Sequence, residues 1–340
     1  MPLKAAELPS HPAYHTVEWE LTPTRKGHAE VAKGRSGGPF KLYWEVHGEG
    51  SVKTVWLMGL GAFRTAWKRQ TKYFGHDRSK RYSCLILDNR GMGLSDKPSA
   101  RYSTSEMAHD VIEILQHVGW LPPPTDDISP KRDLHIAGIS MGGMIAQELS
   151  LLIPNHIASL NLISTAPRLV RTLPFIENLR NRINMFIPRE IDVQLEEVGY
   201  RLFSEEWLAL PDTEYADASK NFPTNRDRFA AGELQKRSDK AGFTKKGFTL
   251  QAITAGWHFK SAAQIKEIGD VVGRERICVV HGTGDRMIDF HHFGLLKKEL
   301  GEGVEYKVWE GKGHVLVWEV EDEFNACLEQ RFEKCEEMGR

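Results

Sequence analysis

The sequence has few cysteines and no long apolar run, and each of these shortages argues against a class of protein. Its 340 residues include only four cysteines, none of them in a Cys-x-x-Cys pair. Neither a disulfide scaffold nor a structural zinc site is therefore expected. The longest nearly apolar run, residues 55–63, is well short of the ~18 residues that a membrane helix needs. We therefore expect no stable membrane insertion.

The chain also lacks an excess of charge of either sign. Forty-five lysines and arginines face 46 aspartates and glutamates, a formal net charge of -1, which argues against nucleic acid as a partner. The sequence contains no glycosylation acceptor and no apolar leader, so we expect a cytoplasmic protein. With 41% hydrophobic residues, the composition is that of an ordinary globular protein, and its length allows two domains.

Short β-rich runs alternate with helical patterns along most of the chain. The predicted strands are 41–46, 53–58, 82–88, 134–139, 157–163, 276–281 and 304–309. One helical pattern begins at Thr104, which is its predicted N-cap. The others cover 141–152, 293–300 and 324–332. Because continuous apolar strands alternate with helices, we predict an α/β fold with a mostly parallel central sheet flanked by helices.

Residues 167–262 interrupt this alternation, with helical patterns but no convincing strand. We interpret them as a helical cap inserted into a discontinuous core of residues 1–166 and 263–340. Trp257 and Phe259, where the cap returns to the core, are candidates for lining a substrate pocket. The cap also has an apolar stretch formed by Leu173, Phe175, Ile176, Leu179, Ile183, Met185, Phe186 and Ile187.

The strongest chemical signal is the sequence Gly138-Ile139-Ser140-Met141-Gly142, which leaves a predicted strand and enters a predicted helix. A serine at this point sits on a sharp turn, and the small glycines on either side give that turn room. The N-terminus of the following helix favours negative charge nearby. This arrangement predicts a reactive hydroxyl at Ser140.

A reactive serine needs a histidine as base and a carboxylate that orients the histidine. Asp285 and His314 follow the last two predicted strands, each directly after a glycine-containing turn. Asp289 is the rival carboxylate. Of the other histidines, His291 and His292 are predicted to be solvated on a helix, and we interpret His258 as a packing residue.

The order Ser…Asp…His, the Gly-x-Ser-x-Gly turn and the segment Asp88-Asn89-Arg90-Gly91-Met92-Gly93-Leu94-Ser95 together resemble the α/β-hydrolase superfamily. Residues 40–165 and 270–320 carry this resemblance. More narrowly, the chain resembles capped serine hydrolases of the enol-lactonase, esterase and monoacylglycerol-lipase type. We interpret 88–95 as architectural, with Asp88 and Arg90 bracing neighbouring loops.

The resemblance implies a role for each candidate residue. Ser140 is the nucleophile, Asp285 the acid and His314 the base, while the backbone N–H groups of Leu60 and Met141 form the oxyanion hole. The family usually has His-Gly where this chain has Met58-Gly59. A backbone donor does not depend on that side chain, so we expect the role of the loop to be retained.

A serine at this turn favours acyl chemistry, because dehalogenases and epoxide hydrolases of the same fold use aspartate there. We therefore predict hydrolysis of a small, apolar carboxylic ester or lactone through an acyl-enzyme. Acyl transfer and C–C bond hydrolysis use the same triad, and a receptor on this fold keeps the pocket without turnover. These remain the alternatives. The chain has no P-loop, no complete Gly-x-Gly-x-x-Gly and no His-Glu-x-x-His, and we predict no cofactor and no metal.

Overall fold

The computed structural model describes residues 2–19, 21–123, 131–172 and 189–339. Its centre is an eight-stranded sheet in the order β1-β2-β4-β3-β5-β6-β7-β8. The strands are β1 (Arg25–Val31), β2 (Phe40–His47), β3 (Val52–Leu57), β4 (Tyr82–Leu87), β5 (Leu134–Ile139), β6 (Ile157–Ile163), β7 (Ile277–Gly282) and β8 (Glu305–Trp309). The first two strands pair antiparallel with their neighbours, and all other pairings are parallel. The predicted fold class is confirmed.

Helices cover both faces of this sheet. The α-helices of the described residues are α1 (Lys68–Gln70), α2 (Thr104–His117), α3 (Met141–Leu152), α4 (Ile191–Leu202), α5 (Glu205–Ala209), α6 (Asn225–Ser238), α7 (Lys245–Trp257), α8 (Ala262–Val272), α9 (His291–Leu300), α10 (Leu316–Glu319) and α11 (Glu321–Glu337). Apolar side chains of α2, α3, α8 and α9 form one core with the sheet. Those of α11 form a second core on the other face, with Trp56, Trp67 and Phe74.

The predicted strands agree with the observed ones to within one residue at either end, and 134–139 and 157–163 agree at both ends. Their continuous apolar runs reflect burial on both faces of a parallel sheet. Two details differ. The strand Arg25–Val31 was not predicted, and the N-cap of α2 is Ser103, whose side chain accepts the N–H of Glu106, rather than Thr104.

Helices α4, α5, α6 and α7 lie between strands β6 and β7 in the chain. Within the described parts of 167–262, no strand of the sheet is found. Helices α4 and α5 both pack on α6. The eight apolar residues of the predicted cap stretch, from Leu173 to Ile187, lie outside the described residues. The division into a core and a cap stays a prediction.

The N-terminal segment packs on the inserted helices. The backbone N–H of Leu3 donates to Asp227 at 2.7 Å, and that of Ala5 donates to Asp192 at 2.6 Å. Leu8 and its apolar neighbours share a buried cluster with side chains of α4 and α6. These first residues therefore belong structurally with the helices inserted between β6 and β7.

Candidate active site

Ser140 occupies a tight turn between the central strand β5 and helix α3. Its backbone angles are φ 58° and ψ -123°, outside the regions that most residues adopt. A Cβ on Gly142 would lie 2.1 Å from the carbonyl oxygen of Leu57, so the turn requires glycine at that position. The hydroxyl of Thr165 donates to the Ser140 carbonyl at 2.7 Å. The structure thus holds Ser140 in a strained conformation at the carboxyl edge of the sheet.

Asp285 and His314 follow strands β7 and β8 and meet at the same edge of the sheet. His314 Nδ1 lies 2.8 Å from Asp285 Oδ2. The other carboxylate oxygen accepts the backbone N–H groups of Met287 and Ile288, each at 2.8 Å. Because a carboxylate only accepts hydrogen bonds, Nδ1 of His314 carries the proton, and Nε2 is left as an acceptor.

The charge of Asp285 is stabilised by its two histidine neighbours. Burial by itself raises the pKa of this carboxyl group. The electrostatic interaction with His314 and the hydrogen bonds from His281 and His314 outweigh that effect and hold the pKa of Asp285 below its usual range. His281 Nε2 lies 3.2 Å from Asp285 Oδ2 and 2.8 Å from the carbonyl oxygen of Ile288. Asp285 is therefore an ionised side chain in a fixed orientation.

Ser140 and His314 line one cavity of about 790 Å³, which we call the Ser140 cavity. A second cavity of about 540 Å³ adjoins it. Seven residues line both: Met58, Ala62, Ile139, Leu202, Glu233, Lys236 and Val315. The space around Ser140 is thus large enough for a small organic molecule.

The loop Met58–Gly61 forms the wall opposite the Ser140 turn. A Cβ on Gly59 would lie 2.9 Å from Ser140 Cβ and 3.4 Å from Ser140 Oγ, so the loop backbone packs directly on the serine. Leu60 lines the Ser140 cavity, and Met141 is the first residue of α3. Among the described residues, no acceptor is found for the backbone N–H of Leu60 or Met141.

Two amide side chains that were not predicted to act at the site hold this loop. Gln251 Oε1 accepts the N–H of Gly61 at 2.9 Å, and Gln251 Nε2 donates to the Arg90 carbonyl at 2.9 Å. Asn89 Nδ2 donates to the Met58 carbonyl at 3.1 Å. Asn89 lies in the segment 88–95 that the sequence analysis singled out. Gln251 lies 190 residues beyond Gly61 in the chain, and no motif in the sequence around it predicts this contact.

The segment 88–95 braces its surroundings, as predicted. Asp88 forms an ion pair with Arg64 at 2.8 Å and accepts the backbone N–H of Leu94 at 2.9 Å. Arg90 is fully buried and donates to both oxygens of Asp110 at 2.6 and 2.7 Å. These contacts fix the loop from which Asn89 and the Arg90 carbonyl reach toward 58–61.

The rival carboxylate and the other histidines have different partners. Asp289 Oδ1 accepts the N–H of His291 at 2.8 Å, at the start of α9. His258 is buried and lies 2.9 Å from the Thr104 hydroxyl, which agrees with its predicted packing role. The prediction that His292 is solvated is wrong, because it is 3% exposed and its Nε2 accepts the N–H of Val170 at 3.1 Å.

Trp257 and Phe259 do not lie where the sequence analysis expected them. Their side chains are 72% and 62% exposed, and neither lines the Ser140 cavity or its neighbour. The Arg101 guanidinium lies 5.0 Å from the Trp257 ring. Because α7 ends at the surface, its last residues face solvent, and Phe243 and Phe248 near its start line the cavity instead.

Neither a metal-binding cluster nor a membrane-spanning helix is found in the described ranges. No group of three or more His, Cys, Asp or Glu side chains there is arranged to hold a metal ion. None of the helices in those ranges combines the length and apolar character that a membrane crossing requires.

Comparison with known proteins places the chain in a family. The alpha/beta hydrolase family model matches residues 46–326. The chain belongs to the alpha/beta hydrolase family. Its sequence is 27% identical to RutD of Azorhizobium caulinodans over 173 residues, 51% of this chain and 58% of that protein. It is 29% identical to 3-oxoadipate enol-lactonase 2 of Acinetobacter baylyi over 115 residues, 34% of this chain and 38% of that protein.

Solved structures share the fold of this chain. A thermophilic esterase from Thermogutta terrifontis superposes with a TM-score of 0.68 at 18% identity, covering 92% of this chain and 99% of the esterase. Est816, described as an N-acyl homoserine lactone degrading enzyme, superposes with a TM-score of 0.66 at 22% identity, covering 89% of this chain and 99% of Est816. The sequence matches are shorter and span 38 to 58% of the two curated relatives quoted.

Proposed function

We propose that this protein is a serine hydrolase that cleaves a carboxylic ester or lactone of a small molecule through Ser140, His314 and Asp285. The observation that carries the proposal is the 2.8 Å contact between His314 Nδ1 and Asp285 Oδ2 beside a cavity that Ser140 and His314 both line. Esterase and enol-lactonase relatives in the same family support this reaction class.

In this mechanism His314 Nε2 takes the proton of the Ser140 hydroxyl as the oxygen attacks the substrate carbonyl carbon. Asp285 holds the ring through Nδ1 and stabilises the imidazolium that forms. The imidazolium then gives its proton to the leaving alcohol. Water repeats these steps on the acyl-enzyme, releasing the carboxylic acid and restoring Ser140.

The oxyanion of each tetrahedral intermediate is stabilised by the backbone N–H groups of Leu60 and Met141. Both flank Ser140, one on the loop that packs against it and one at the first turn of α3. In a comparable enzyme the loss of one such donor costs roughly 10²–10³ in kcat. The dipole of α3 adds a favourable potential for the same charge.

We further propose that residues 167–262 act as a lid over this reaction. Helices α4, α6 and α7 within that range all contribute side chains to the Ser140 cavity. The core of the protein would then supply the reacting groups, and the lid would select the substrate.

A fluorophosphonate probe tests the nucleophile directly, because it forms a covalent bond with an activated serine. Intact-protein mass measurement is expected to show one adduct on the wild type and none on Ser140→Ala, and only the wild type should hydrolyse p-nitrophenyl butyrate. Ser238→Ala, an exposed serine on α6, is the control and should behave as the wild type does. Equal labelling of Ser140→Ala would reject the proposal.

A further inference from the structure

The wall of the Ser140 cavity has a charge that the whole chain does not have. Among the described residues, its lining includes six cationic and two anionic ones, although the formal net charge of the protein is -1. The cations are Arg189, Arg201, Lys236, Arg237, Lys240 and Lys245, and the anions are Glu197 and Glu233. The near-neutral composition therefore conceals a basic cavity.

Both carboxylates in this wall form ion pairs with neighbouring cations of the same wall. Glu233 is buried and forms ion pairs with Lys236 at 2.6 Å and with Arg237 at 2.7 Å. Burial raises the pKa of Glu233, but these two cations outweigh that effect and lower it. Glu197 is paired with Arg189.

The remaining three cations have no carboxylate partner within the described parts of the chain. Arg201 and Lys245 form no ion pair there, and Lys240 donates to a backbone carbonyl, that of Arg237, at 3.1 Å. An excess of positive charge therefore faces the cavity. Charges gathered in one concave surface raise the local concentration of oppositely charged ligands.

Arg201 lies close in space to the turn that carries His314. The carbonyl oxygen of Leu202, the residue after Arg201, accepts the N–H of Val315, the residue after His314, at 2.9 Å. Arg201 is thus next to the turn that holds His314.

Lys245 is the first residue of α7 and also lines the Ser140 cavity. Phe248 in the next turn of that helix packs on the loop 58–61, where a Cβ on Gly61 would lie 2.8 Å from its ring. Arg201 and Lys245 therefore line the cavity from two different helices, α4 and α7.

We propose that the ester or lactone cleaved at Ser140 carries a carboxylate or another anionic group, separated from the scissile carbonyl by an apolar segment. The inference rests on the proposed hydrolase function and names its substrate class. Met58, Leu60 and Phe248 give the cavity an apolar surface for the connecting segment. Arg201 and Lys245 supply the counter-charge, with Arg201 able to bind a carboxylate through two parallel hydrogen bonds. The proposal departs from the expectation of a small, apolar ester or lactone.

Two esters that differ only in charge test this inference. One is the mono-p-nitrophenyl ester of adipic acid, with its terminal carboxylate free, and the other is the same ester with that carboxylate methylated. The wild type is expected to hydrolyse the anionic ester with a kcat/KM about tenfold higher at low ionic strength. The preference should decrease as salt is raised to about 0.5 M, because salt screens charges near solvent.

Charge-removing variants identify the residues responsible. The Arg201→Gln/Lys245→Gln variant should lose most of the roughly tenfold preference, because its kcat/KM for the anionic ester should fall toward its own value for the methylated ester. Lys298→Gln, which removes an exposed charge on α9, should keep the preference. Equal kcat/KM values for the two esters in the wild type, or a preference unchanged in the double variant, would overturn this inference alone. Failure of the wild type to hydrolyse either ester would overturn the proposed hydrolase function as well.

Discussion

The side-chain oxygen of Gln251 accepts the backbone N–H of Gly61 at 2.9 Å. The same side chain donates to the Arg90 carbonyl at 2.9 Å, so it joins the inserted helix α7 to two loops of the core. Gly61 directly follows Leu60, the proposed oxyanion donor. Gln251 therefore fixes the orientation of the peptide next to that donor and acts as a positioning residue.

We predict that Gln251→Leu lowers kcat by about 10- to 100-fold and changes KM much less, because a misplaced oxyanion donor weakens transition-state binding rather than substrate binding. Steady-state kinetics on p-nitrophenyl butyrate provide the measurement. Ile253→Ala, on an exposed position of the same helix, is the control and should keep wild-type kinetics. A variant with normal kcat and raised KM would show that Gln251 contacts the substrate instead.

The choice between Asp285 and Asp289 is tested by replacing each with asparagine. We expect Asp285→Asn to lower kcat by roughly 10⁴-fold, because the amide favours the wrong tautomer of His314. Asp289→Asn should retain activity to within a few-fold, since its carboxylate contacts the N–H of His291 at the start of α9. The same ester assay compares the two. A greater loss at residue 289 would reverse the assignment of the acid.

The glycine at position 142 is predicted to be essential for stability as well as for the serine turn. A Cβ there would lie 2.1 Å from the carbonyl oxygen of Leu57, and overpacking of this kind costs roughly 1–3 kcal/mol or more. Gly142→Ala should therefore unfold at a lower urea concentration than the wild type. Gly256→Ala is the matched change, with nothing within 4 Å of the added methyl group, and should gain about 0.5–1 kcal/mol. Equal stability of the two variants would contradict the prediction.

The strands of the parallel sheet were predictable because they are buried on both faces and read as continuous apolar runs. Arg25–Val31 was missed for the opposite reason. It is an edge strand with the sequence Arg-Lys-Gly-His-Ala-Glu-Val, and only Ala29 and Val31 are buried. The turn at Ser140 was predictable because the glycines at 138 and 142 leave the space that the turn itself requires.

Contacts between distant parts of the chain were not predictable in the same way. Gln251 and Gly61 are separated by 190 residues, and no sequence motif near either residue predicts their contact. The type of a residue also does not predict which way its side chain points. Trp257 and Phe259 are aromatic, as many pocket-lining residues are, but they face solvent. The basic wall of the Ser140 cavity does not show in the net charge of the chain, because acidic residues elsewhere balance it.

The buried carboxylate of Glu45 allows a test of how the free energy of unfolding depends on pH. It lies 2.9 Å from Arg64 and 3.2 Å from His47, and Arg64 also pairs with Asp88 of the segment 88–95. Burial raises the pKa of Glu45, but His47 and Arg64 outweigh burial and lower it to about 2.

We predict that the stability advantage of the wild type over Glu45→Gln is largest above pH ~4.5 and decreases as the pH falls toward about 2. In this range the unfolded chain binds a proton at residue 45 while the folded protein keeps the carboxylate ionised, so acid favours unfolding by at most roughly 1.4 kcal/mol per pH unit. Urea unfolding at a series of pH values measures the difference. Glu49→Gln, at an exposed position just after β2, should differ from the wild type by a constant amount. A difference for Glu45→Gln that is equally independent of pH would show that its ion pairs do not stabilise the fold.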